Sequence, residues 1–185
     1  MNHHHRSSAS WGVRAAWLAA FLLTTLLFSM GLTCAVPLIA FGAICALRQN
    51  RAQALLFTAT LWLATEVIGF TLLRFPIGLA AFGWGALVGA ALLAASAAAS
   101  AVARRVPGAA GIVVTYLSAF GLYEGLLWGV SRAVGGASGA FTAGILAQVF
   151  VLNGVTFAAL VLVGALTAGR SAGGPVAAHA QRRTA

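Results

Sequence analysis

The chain has no lysine, no aspartate and only two acidic residues, Glu66 and Glu124, in 185 residues. These absences exclude much chemistry. Without Lys there is no phosphate-binding Walker loop and no Schiff base. Without Asp, and with every His outside the apolar runs, intramembrane Ser–His hydrolysis, haem ligation and His-rich metal sites are excluded. The carboxylate-rich metal motifs of membrane lipid transferases are absent too. Two Glu could move a proton, but no nucleophile or cofactor motif accompanies them. The chain therefore reads as non-catalytic and without a cofactor. Cys34 and Cys45, eleven residues apart in one apolar stretch, have no metal-ligand spacing and read as small packing residues.

What is abundant is apolar: 61% of the residues are hydrophobic and 7% charged. A chain of this length cannot hide so much apolar surface in one water-soluble core. Several uncharged runs approach or exceed the ~20 residues needed to cross a bilayer. They are continuous Ala/Leu/Val/Gly runs, not the alternating ten-residue segments of a membrane barrel. The net charge is +9 and all eleven basic residues are Arg. They lie between apolar runs or in the tails, where they set topology and meet anionic lipid. No aromatic-basic patch points to nucleic acid.

The sequence predicts an all-α polytopic membrane bundle over residues 12–169, between disordered tails at 1–11 and 170–185. His3, His4 and His5 read as an expression remnant or a solvated tail. Ala15 to Leu47 is 33 residues without a charge, too long for one ~30 Å crossing, and Gly31, Thr33 and Pro37 offer a break. Six helices are expected, over 12–31, 33–49, 53–73, 77–103, 109–131 and 140–168. Pro76 and Pro107 separate the middle ones. Gly85-x3-Gly89 and Ser96-x3-Ser100 in the fourth are small faces suited to close packing. With six helices, nine Arg fall on one side and two, Arg74 and Arg132, on the other. That asymmetry places both termini in the cytoplasm and the protein in the inner (plasma) membrane.

Within this frame one pattern occurs twice. Trp62, Glu66, Phe70 and Arg74 repeat as Phe120, Glu124, Trp128 and Arg132, each set at a spacing of four. Residues four apart share one helix face. Each Glu precedes its Arg by eight residues, ~12 Å of helix rise, so the two carboxylates are expected at matched depth and facing one another. Gln148 reaches the same level on the sixth helix, and Asn153 lies deeper. No cationic side chain shares that level, so the acids are protonated or take a cation from outside. Aromatic faces beside a carboxylate suit an organic cation better than a bare divalent metal. The substrate-binding set is then Glu66, Glu124, Trp62, Phe70, Phe120, Trp128, Gln148 and Asn153. In the alternative, a non-catalytic scaffold or accessory subunit, the glutamates bridge helices and the aromatics anchor at the interface.

Six short helices, cytoplasmic termini and no ATPase features resemble the substrate-binding S-components of energy-coupling factor transporters. Ala15-x3-Ala19 and Ala16-x3-Ala20 resemble the Ala-x3-Ala face by which that family docks its coupling subunit. The resemblance implies capture of a vitamin or metal ion from the outer side, with a coupling subunit and ATPase partners hydrolysing ATP.

Overall fold

A computed structural model describes residues 36–135 and 141–172, and side chains to residue 166. They form five α-helices and, among the described residues, no strand: α1 Leu38–Arg48, α2 Arg51–Thr71, α3 Leu79–Arg105, α4 Gly108–Ala133 and α5 Ala143–Ala172. Outside the described residues lie the helix expected at 12–31 with its Ala-x3-Ala faces, the Gly31 break, the tail expected at 1–11 and residues 173–185 of the tail expected at 170–185, whose first three residues instead continue α5. Four helices, α2 to α5, are long and apolar enough to cross a bilayer. The protein is a multi-pass membrane protein.

The helix expected at 33–49 is the exception. It is 11 residues long, about 16 Å at 1.5 Å per residue, or half a hydrocarbon core. Pro37 is its N-cap rather than part of its first turn. Every residue from Leu38 to Ala46 is buried, and the helix packs against all four others. Hydrophobicity all round the helix here reflects protein on every side.

Local sequence sets the remaining boundaries. Asn50 caps α2, its side-chain oxygen accepting from the Gln53 amide at 2.9 Å. Val106 and Pro107 join α3 to α4, with Pro107 as N-cap. Arg48, Arg104, Arg105 and Arg132 sit in last turns, where they meet the negative ends of the helix dipoles. Among apolar surroundings the hydroxyls of Thr60, Thr65, Thr71 and Thr156 donate back to carbonyls one turn earlier. After α2, Arg74 adopts φ 54°, the left-handed conformation, and the chain turns back so that the Phe75 amide donates to the Gly69 carbonyl at 3.0 Å. The Phe75 ring then lies on Gly69, where a Cβ would be 2.6 Å from it.

Small residues fix the packing around α1. Gly42 faces Thr58 of α2 and Ser96 of α3, and Thr58 donates to Ser96 at 3.2 Å. The Arg48 guanidinium lies against Gly164 of α5, in the space a side chain there would fill. Tyr116 of α4 donates to the Phe150 carbonyl of α5 at 2.7 Å and stacks on Phe157 at 5.2 Å.

Asn153 of α5 completes the frame. It is 2% exposed, and its Oδ1 accepts from the Ala40 amide at 3.1 Å. Ala40 lies in the first turn of α1, whose amides have no partner within the helix. Asn153 thus supplies the capping acceptor that Pro37 lacks, from 113 residues away. Its Nδ2 donates to the Val149 carbonyl at 3.0 Å. Asn153→Leu leaves the Ala40 amide unpaired in an apolar core and should cost about 1–3 kcal/mol. Gln148→Leu, at an exposed position, should change stability by less than about 0.5 kcal/mol. Thermal unfolding of the two purified variants measures the difference; equal midpoints would remove the cap from the account.

Candidate functional site

The site is built from side chains of α2 laid over glycines of α3. The helices run antiparallel, and Trp62 and Glu66, four residues apart, meet Gly89 and Gly85, also four apart. The Trp62 indole occupies the space a Cβ at Gly89 would need, and its Nε1 donates to the Gly85 carbonyl at 3.0 Å. A Cβ at Gly85 would stand 2.7 Å from Glu66 Oε2. Glycine at both positions lets a bulky ring and a carboxylate reach the helix backbone.

Glu66 is half-buried in a cleft of about 450 Å³ between α2 and α3. Trp62, Phe70, Ile77 and Phe82 are its walls and Gly85 its floor. Phe70 stacks on Phe82, with ring centroids 4.9 Å apart, and meets Phe75 edge-on at 6.3 Å. Among the described residues Glu66 has no hydrogen-bond or ion-pair partner. The expected trio Trp62, Glu66 and Phe70 therefore shares one cleft. Phe82, Ile77 and Gly85 join it from α3 and the turn before it.

The second stripe is distributed differently. Glu124 is half-buried and, among the described residues, also has no hydrogen-bond or ion-pair partner. Phe120 belongs to an aromatic cluster with Tyr116 and Phe150, at 6.1 and 5.0 Å. Trp128 is 54% exposed on the outside of α4. Gln148 is exposed on α5, and Asn153 is engaged as the cap of α1. None of these five lines the Glu66 cleft.

Helices α2 and α4 each pack against α1 and α3, so α3 separates much of the two stripes. What links them is Tyr123, which adjoins Glu124 in sequence and shares a cavity with Thr65, the residue before Glu66. Tyr123 also lines a second cavity, of about 260 Å³, with Thr65, Phe75, Val88 and Leu38. Leu38 opens the short helix α1, so that helix begins inside the bundle at the level of Thr65 and Tyr123. The Phe70–Phe75 contact joins the linings of the two cavities. Adjacent residues of a helix point about 100° apart, so Tyr123 faces this cavity from a different side of α4 than Glu124. Among the described residues no three His, Cys, Asp or Glu side chains gather to hold a metal ion.

No protein-family model, curated protein or solved structure matches this chain.

Proposed function

We propose that this is a solute-binding or transport protein of the inner (plasma) membrane, in which Glu66 takes a small cationic or proton-coupled solute from the outer side. One observation carries the reading: a half-buried carboxylate without a hydrogen-bond or ion-pair partner among the described residues, walled by aromatic rings. Such a carboxylate in an apolar site takes up either a proton or a cation, and ring faces favour the organic cation. The cleft lies toward the Thr71–Gly78 end of α2 and α3. The opposite end carries Arg48, Arg51, Arg104 and Arg105, against Arg74 and Arg132 on the cleft's side. The positive-inside rule makes the cleft's end the outer one. Six helices with both termini cytoplasmic complete this topology. The protein is non-catalytic on this reading, and a coupling subunit with ATPase partners supplies the energy.

A second reading, a non-catalytic scaffold or accessory subunit, draws on the other stripe. Phe120 and Asn153 are occupied in packing and capping, as a structural role requires.

Thermal shift with tetraethylammonium separates the two. A bound ligand stabilises the fold by RT ln(1 + [L]/Kd), about 2.7 kcal/mol at a hundredfold excess over Kd. The parent should gain stability with added cation, while Glu66→Gln stays folded and loses that gain. Proton and cation compete for one carboxylate, so the gain should shrink as pH falls. A parent that gains nothing, with Glu66→Gln itself destabilised, would establish the scaffold reading instead.

A further inference from the structure

We infer that the solute is a hydrophobic organic cation that enters the Glu66 cleft sideways from the bilayer, between α2 and α3. The inference rests on the reading of Glu66 as a cation site and names the substrate class and the route.

The lining decides the class. Around Glu66 the walls are carbon: Trp62, Phe70, Phe82 and Ile77, with Gly85 beneath. A small hydrated ammonium ion would shed its water there and find one carboxylate and one hydroxyl, that of Thr71, which is already committed to the Val67 carbonyl. A cation that carries its own apolar body loses little hydration and fills the walls by contact. The volume of about 450 Å³ falls in the range of pockets that hold drug-sized molecules.

The rim decides the route. Val67 is 59% and Phe82 53% exposed on the rim, and Ile77 80%. Val67 and Phe82 stand on the outer flank of two helices long and apolar enough to cross a bilayer, and Ile77 stands in the turn between them, so along its helical sides the mouth faces acyl chain. A mouth toward water would carry a polar rim, as binding sites open to water do. Hydrophobic cations concentrate in the bilayer interface and reach such a mouth by lateral diffusion. The carboxylate then selects cations from among the other amphiphiles present.

Equilibrium binding to the full-length protein in phosphatidylcholine nanodiscs tests the class, with tetraphenylphosphonium and tetraethylammonium as probes. Tetraphenylphosphonium should bind at least tenfold more tightly than tetraethylammonium, and Glu66→Gln should lose at least tenfold of that affinity. Equal or tighter binding of tetraethylammonium, still dependent on Glu66, would overturn the inference and leave the cation site standing. Binding of neither probe in a Glu66-dependent way would overturn the cation site, and the inference with it.

The route has its own measurement. A variant keeping Trp62 as its single tryptophan is placed in dibrominated phosphatidylcholine. Acyl bromines should quench Trp62, and tetraphenylphosphonium should relieve the quenching. Unquenched Trp62, as when another part of this chain covers the mouth, would overturn lateral entry. If the single-tryptophan variant fails to fold, Val67→Asn with Ile77→Asn serves instead. A polar rim should slow tetraphenylphosphonium association several-fold in nanodiscs, and an unchanged rate would overturn the route.

Discussion

Gly89→Leu is expected to destabilise the bundle by about 3 kcal/mol, toward the upper end of the cost of forcing a larger side chain into packed surroundings. The position is buried, and a Cβ there falls within the Trp62 indole. The ring cannot swing away cheaply, because its Nε1–H is committed to the Gly85 carbonyl at 3.0 Å. Moving it breaks a hydrogen bond that an apolar medium does not replace, a loss of about 1 kcal/mol or more. It also parts α2 from α3 at the level of the cleft. Gly125→Leu is the control: that glycine is exposed on α4 and a Cβ there meets nothing within 4 Å. Its stability should stay the same or rise slightly, since leucine is the better helix former. Denaturation midpoints in mixed detergent micelles compare the two. Indistinguishable midpoints would mean that Trp62 does not rest on Gly89.

The long helices were legible because local signals mark their ends. Asn50 caps α2, Pro107 stands before α4, and the chain breaks at Pro76, so expected and observed boundaries of α2 to α4 agree to about two residues. The length of α1 was hidden because hydropathy measures apolarity without saying what supplies the apolar surroundings. A run from Leu38 to Ala46 buried in protein looks the same as one facing lipid. Spacing likewise revealed that Trp62, Glu66 and Phe70 share a face, since 3.6-residue periodicity is local. It could not show that Phe120 turns toward Phe150 while Trp128 faces outward, because partner helices decide that. One long-range signal was present in the sequence. Large residues at 62 and 66 and glycines at 85 and 89, on consecutive antiparallel helices, have the spacing of side chains seated in matching gaps.

That match makes Gly85 the position where the site can be altered without the fold. Gly85→Ala places a Cβ 2.7 Å from Glu66 Oε2 and 3.0 Å from its Cδ. The carboxylate is the far end of a flexible side chain, so it yields at little cost, and stability should hold within about 0.5 kcal/mol. Binding should not hold. A carboxylate pushed off the cleft floor loses its position against the walls of Trp62 and Phe70, and tetraphenylphosphonium affinity should fall about tenfold, or 1.4 kcal/mol. Glu66→Asp alone should also weaken binding, because the shorter acid draws the charge back toward α2. The two changes compensate in geometry: aspartate gives up the space that the alanine methyl takes. The double variant should therefore bind more tightly than the product of the single losses implies, since residues in contact do not act additively. Strictly additive losses would show that the Glu66 carboxylate does not lie on Gly85 when the cation is bound.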